Sequence, residues 1–361
     1  MNKLLLVFLT LIVLSPQAKS QIDINGIDSI VQNAYKNASF EGTVLIGENG
    51  NVLYHKSFGF KDNDREEAVE NSSRFSIASI TKLFTAIAIL QMVEEGKFKL
   101  SDNLNELLPG YEIPGSSEIT IHHLLLHISG LPNEKDAIYK EFASPQDFVS
   151  ETLKNKSNAI GEFNYANIDY VLLGLIIEKF DDCSYAQAIQ KRIVEKHAMI
   201  QTGFLKKGQY PENFAYSFSY DSAATREADP LLYIENYYAA GQMYSTAQDL
   251  LKLDQALYDN DFLNEKSKEA MFTSYPEYNY SGYSVWTYNY PFAPSKPRVM
   301  ERRGGIKGAN SVLIRFLDSN KSIIILSNNN YFNPDSFGNT QTRKSSQKRT
   351  IFLQVCSTCV Y

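Results

Sequence analysis

Between Ile80 and Val93 the chain is apolar on nearly every helical face, through Leu83, Phe84, Ile87, Ile89, Leu90 and Met92, and the run stops at Gly96. A helix without a polar stripe has no side to give to water, so it must be packed on all sides by other elements. That demands a domain with layers on both sides of the helix. It also brings the N-terminal end of the helix, around Ser79, out at the edge of the core.

The rest of the chain reads as the supply of those layers. Ile27 to Asn37 has helical spacing of apolar positions, and Gly42 to Phe60 reads as two strands joined at Glu48-Asn49-Gly50-Asn51. From Leu100 to Tyr258 the patterns are mostly helical, including Ile121 to His127, Tyr170 to Phe180 and Thr246 to Leu257. Strands return at Tyr283 to Tyr290, Arg298 to Arg302, Asn310 to Leu317 and Ser322 to Ser327. The expected class is α/β of the α+β type. One antiparallel sheet is built from both chain ends and flanked by helices, with a mostly helical region, about 100–258, inserted between them and a cleft where the two meet. No internal repeat or long linker is visible.

Composition excludes several functions. The first residues, MNKLLLVFLTLIVLSPQAKSQ, carry one Lys, an apolar run from Leu4 to Leu14 and small residues at Ala18 and Ser20, the pattern of an export signal over 1–20. The run is shorter than the roughly 20 residues that span a bilayer, and no Cys follows it to carry a lipid, so a periplasmic or secreted protein without a stable membrane anchor is expected. The remaining residues, about 21–339, form the expected catalytic domain, followed by a polar basic tail at 340–361. Net charge is −6, or −8 without Lys3 and Lys19, with no basic cluster, so nucleic acid is not the expected partner. A small molecule or peptide is expected instead, and oligomeric state stays open. Three cysteines, Cys183, Cys356 and Cys359, are too few for a disulfide framework, and the C-x-x-C at the chain end lacks the second pair of a zinc ribbon. The five histidines have no metal-ligand spacing, so neither a metal nor an organic cofactor is expected.

Candidate chemistry gathers at three places. Ser79 and Lys82 lie three apart at the start of the apolar helix, on one face about a turn apart. A serine hydroxyl needs a base within reach, and a buried Lys with a lowered pKa can supply it beside the positive end of the helix dipole. S-x-x-K alone proves nothing, since Ser345 to Lys348 repeats it in a polar stretch and Ser79 could simply cap the helix. Phe163-Asn164-Tyr165-Ala166-Asn167 adds a phenol and an amide just before the next helix. Arg302-Arg303-Gly304-Gly305-Ile306-Lys307-Gly308 puts a cation at a strand end, with glycines that allow close approach to the backbone.

In that order, S-x-x-K, Y-x-N and cation-x-Gly resemble the motifs of the serine β-lactamase and penicillin-binding protein family, in its class C branch with the related D-alanyl carboxypeptidases and esterases. The resemblance spans about Ile27 to Asn329 and includes Ile119 to Pro132, Tyr170 to Lys179 and Ala239 to Leu250. It implies a β-lactamase/transpeptidase-like fold and a serine hydrolase. Ser79 would form an acyl-enzyme, Lys82 and Tyr165 would share the proton traffic, and Asn167 would hold the substrate amide and orient Lys82. An oxyanion hole would come from the N–H groups of Ser79 and of Gly305, next to Gly304. Which of Lys82 and Tyr165 is the formal base stays open. The chain leaves the pattern in two places. Arg302 stands where Lys or His is usual, so its planar fork is expected to anchor an anionic group of the substrate. The tail after Thr340 lacks the closing amphipathic helix. A Ser-His-Asp arrangement through His127 is not expected, since no G-x-S-x-G elbow occurs and packing suits His127 better. The aromatics Tyr237, Tyr238, Trp286, Tyr288 and Tyr290 are expected mostly to pack. Substrates compatible with this machinery are β-lactams, D-alanyl peptides and simple esters, the first two ahead of the third; a penicillin-binding sensor without turnover is the rival.

Overall fold

The computed structural model describes residues 22–332 apart from Ala38, Ala224 and Phe292. The export signal, the second S-x-x-K, the C-x-x-C and the tail therefore lie outside the described residues. Helix α1 (Ile24–Lys36) leads into the hairpin β1 (Gly42–Glu48) and β2 (Asn51–Phe58). Helices α2 (Thr81–Glu94), α3 (Ile121–Leu126), α4 (Asn167–Asp181) and α5 (Ala247–Tyr258) belong to the middle of the chain. Strands β3 (Trp286–Asn289), β4 (Arg298–Ile306), β5 (Ala309–Phe316) and β6 (Lys321–Ser327) complete the sheet. Its order is β2-β1-β6-β5-β4-β3, antiparallel throughout, so the N-terminal hairpin docks on the last strand. The antiparallel sheet built from both chain ends is thus observed.

Strand alternation sorts the sheet's side chains into two cores. Val44, Ile46, Val312, Ile314, Ile323 and Ile325 pack with Ile27 and Val31 of α1. Leu45, Met300, Leu313, Ile324 and Leu326 face the larger core that holds α2, α4 and α5. In α2 every side chain from Thr81 to Met92 is buried, which is what its unbroken apolar character demanded. Burying Leu83, Phe84, Ile87 and Leu90 contributes about 1.5–3 kcal/mol each in transfer free energy, an upper bound because the unfolded chain is already partly collapsed.

One boundary differs in a way that matters. The sequence suggested that Arg302 closes its strand, but β4 runs on through Gly304 and Gly305 to Ile306, held by a continuous register with β5 from Val299↔Phe316 to Ile306↔Ala309. Pairing on one side overrides the weak strand preference of two glycines. On its other side β4 pairs with β3 only from Arg298 to Glu301, so from Arg302 onward that edge carries no strand among the described residues.

Candidate active site

Ser79 lies in a 3-10 turn, Ala78–Ile80, that leads into α2. Ala78 has φ +44°, a left-handed conformation that costs a residue with a Cβ and is held here by the surrounding backbone. Ile77 N–H donates to Met243 O (3.0 Å) and Met243 N–H to Thr81 Oγ1 (3.1 Å), so the turn is pinned from both ends. Neither helical segment has a side-chain cap, so the Ser79 hydroxyl is not serving as one. Strand β4 presses directly on the turn. A Cβ at Gly304 would stand 2.2 Å from Ile77 O and 3.0 Å from Ser79 N, so only glycine lets this strand lie against the backbone of Ser79.

Lys82, 0% exposed, points its Nζ at Asn167 Oδ1 (2.7 Å), Ala240 O (2.9 Å) and Ser79 Oγ (3.1 Å). Burial holds its pKa below the ordinary lysine value, and the Arg302 charge pushes the same way, against the opposing pull of Tyr165. Three oxygens thus surround the amine, and a lowered pKa increases the share of it that has a lone pair to offer the Ser79 proton.

Tyr165 precedes α4 and accepts a hydrogen bond from an Arg302 Nη at 2.7 Å. Burial pushes its phenol up, but the Arg302 and Lys82 charges and the hydrogen bonds of Ser79 and Lys82 outweigh that and bring it down to about 8. Its ring lies between His127 (centroids 4.3 Å apart) and Trp286 (6.2 Å, near parallel). His127 is not next to Ser79 in a triad. Its Nδ1 is 3.0 Å from Asp169 Oδ2, and Ser129 Oγ donates to Asp169 Oδ1 at 2.5 Å. Burial drives His127 well below and Asp169 well above their ordinary values, so both favour their neutral forms behind the phenol. Of the aromatic cluster, Trp286 faces the site; Tyr290 is buried on the α1 side of the sheet and Tyr237 stacks on Tyr139 at 3.9 Å.

Two residues expected to touch substrate have protein partners instead. Arg302 is placed inward, not toward a substrate: it is 1% exposed, and three of its five N–H donors go to Ser79 O (2.8 Å), Ser284 O (2.9 Å) and Tyr165 Oη. Its fork clasps the turn and the phenol from behind. The Asn167 amide is engaged as well: its Oδ1 accepts from Lys82, and its NH2 donates to Glu134 Oε1 (2.7 Å) and, at the long distance of 3.4 Å, to Tyr139 Oη, so it orients Lys82. Ser79, Lys82, Tyr165, Asn167, Arg302 and Gly304 thus come together in one place, with Gly305 next along the open edge of β4. Glu134 and Tyr139 were not found from sequence, since Glu134 sits in a polar loop and Tyr139 ends a short 3-10 helix, Asp136–Tyr139, with no motif around either. No group of His, Cys, Asp and Glu suited to a metal ion occurs among the described residues.

A serine, a buried lysine and a lowered phenol converging at a helix start, across from a sheet edge, define a protein of the serine β-lactamase fold. Residues 27–348 match the Beta-lactamase family model, and the chain belongs to that family. It is 33% identical over 315 residues to penicillin-binding protein 4* of Bacillus subtilis, covering 80% of this chain and 68% of that protein. Among solved structures, the penicillin-binding protein of Bacillus halodurans matches with a TM-score of 0.70 at 25% identity, over 84% of this chain and 95% of that one. The D-amino acid amidase of Ochrobactrum anthropi SV3 matches in fold with a TM-score of 0.80 at 19% identity, over 93% and 99%.

Proposed function

We propose that this protein is an exported hydrolase that cleaves a small amide or ester through an acyl-enzyme on Ser79. The observation that carries the reading is the Ser79 Oγ to Lys82 Nζ distance of 3.1 Å beside a phenol lowered to about 8. As Ser79 attacks the carbonyl carbon, its proton passes to the Lys82–Tyr165 pair. The developing oxyanion accepts from the N–H groups of Ser79 and Gly305. When the tetrahedral species collapses, the bond to the leaving nitrogen or oxygen breaks and that atom takes a proton back from the pair. A water then repeats the sequence on the acyl-Ser79 ester, releasing the acid and restoring the serine. Family membership and the likeness to penicillin-binding protein 4* support a β-lactamase-like or carboxypeptidase-like enzyme ahead of a simple esterase.

The test is labelling with a fluorophosphonate and with a fluorescent penicillin, mapped by mass spectrometry. A single fluorophosphonate adduct on Ser79, absent from a folded Ser79→Ala variant, is the expected result. An adduct at Ser345, or undiminished turnover in Ser79→Ala, would sink the mechanism, and a penicillin adduct that never turns over would favour a sensor.

A further inference from the structure

Two buried titratable groups that the mechanism does not use, His127 and Asp169, lie behind the phenol of Tyr165. The contacts of His127 converge on the three residues that carry that phenol. Its carbonyl accepts from the N–H of Asn164 (2.8 Å), its ring lies 4.3 Å from the Tyr165 ring, and its Nδ1 receives the N–H of Ala166 at the long distance of 3.4 Å. One residue thus touches the phenol and both of its chain neighbours. His127 is itself fixed. It ends α3 in a left-handed conformation (φ +61°), and its Nδ1 meets Asp169 Oδ2, in the first turn of α4, at 3.0 Å. Asp169 Oδ1 accepts from Ser129 Oγ (2.5 Å), which accepts in turn from the Leu131 N–H (3.1 Å).

The surroundings decide what such a pair can do. Burial, and then the charges of Lys82 and Arg302, keep the imidazole neutral, since an imidazolium would be a third cation in a site closed to water. Burial holds Asp169 in its acid form against the opposing pull of Ser129 and Lys82, and the Glu134 charge acts with it. The other titratable groups against the ring are the phenols of Tyr165 and of Tyr170, the latter 5.0 Å away. In this state the acid donates Oδ2–H to Nδ1, the same nitrogen that the Ala166 N–H approaches, and the bond carries no charge. His127 Nε2 is buried and bonds nothing among the described residues, so the ring hands no proton on toward Ser79. Its contacts are those of a support. We propose that His127 is the positioning residue of Tyr165, and that Asp169 locks it through hydrogen bonding rather than charge, so that the phenol oxygen stays on the Arg302 guanidinium. This rests on the acyl-serine reading and adds the device that places its phenol.

The experiment follows hydrolysis of p-nitrophenyl acetate, its pH dependence and the denaturant midpoint in the parent, His127→Ala, His127→Phe, Asp169→Asn and Asp169→Leu. In His127→Ala the phenol loses its support, and kcat should fall on the order of 10²-fold, the cost of a displaced catalytic group, with KM little changed. The pH at which acylation rises should move up from about 8, because a displaced phenol leaves the Arg302 charge. His127→Phe keeps a ring and loses Nδ1, and should lie between. Asp169→Asn offers an N–H in place of the acid O–H and should keep most of the parent kcat, whereas Asp169→Leu, which cannot donate, should approach His127→Ala. If His127→Ala does not fold, His127→Phe and the two Asp169 variants carry the same comparison. Variants that lose stability but keep kcat and the rise near 8 would leave the pair as packing, and an Asp169→Asn as impaired as Asp169→Leu would mean that charge is required. Either result overturns the inference. Fluorophosphonate labelling of the parent separates the two levels: a labelled Ser79 with unmoved kinetics in the variants overturns this inference alone, and an unlabelled Ser79 overturns the reading beneath it as well.

Discussion

Arg302 and Arg315 stand on adjacent strands, on the same face of the sheet, diagonal to each other through the pairs Arg302↔Leu313 and Met300↔Arg315. They are 1% and 2% exposed, the two largest fully buried side chains described. Their partners differ. Arg315 Nε donates to Asp254 Oδ1 on α5 at 2.8 Å, an ion pair sealed on both sides. Arg302 has no carboxylate in ion-pair contact among the described residues; it is held by two backbone carbonyls and the Tyr165 phenol. Burying a cation without an anion is unfavourable by several kcal/mol. Arg315 has a permanent counter-ion, whereas Arg302 gains one only when Tyr165 gives up its proton. The first arrangement fastens a helix to a sheet. The second converts the cost of burial into a pull on a phenol, which is how a group is brought to the range where it can act as a base near neutral pH.

The largest effect that separates the two arginines should come from Arg302→Met. Its kcat/KM is expected to drop by about 10²- to 10⁴-fold, the range for losing general acid–base help, while the folded state persists. Arg302→Lys, which keeps charge but not the three-way clasp, should lie between. If instead Arg302→Met unfolds the protein and its folded fraction is fully active, the distinction collapses. For Arg315→Met the signs reverse: stability should fall by about 3–5 kcal/mol in denaturant unfolding, because Asp254 is left buried and unpaired, with activity per folded molecule retained. Replacing both partners, Arg315→Met with Asp254→Leu, should recover most of that loss, since a well-packed apolar pair is often as stable as a buried ion pair. A double variant no better than the single would mean that the arginine stem or its contact with the Tyr258 ring, 5.1 Å away, matters more than the charge.

What could be read from sequence follows the same division. The all-apolar run of α2 and the strands at both chain ends are periodicity signals, and both reappear in the fold. Ser79 and Lys82 are local to one turn, so their meeting was visible in the spacing. The position of Arg302 was also visible, but its role was not, because two of its partners are carbonyl oxygens and every residue has one. The Ser79 carbonyl that it holds lies 223 positions away in the chain. The engagement of the Asn167 amide depends likewise on Glu134, 33 positions earlier in a loop without a pattern. Ala78 illustrates the remaining gap: nothing about an alanine announces φ +44°. That conformation is imposed by the turn's contacts with Met243 and Gly304, and so belongs to the tertiary structure.

The central claim is that the fixed charge of Arg302 brings Tyr165 into the working range, and the pH dependence of Ser79 acylation by a neutral ester tests it most directly. A base works in its deprotonated form, so the acylation rate of the parent should rise with pH through about 8 and level off above it. Removing the positive charge in Arg302→Met should move that rise upward, toward the ordinary phenol value of about 10, and Arg315→Met should leave it in place. A rise that stays near 8 in Arg302→Met, or that moves equally in both variants, would contradict the account.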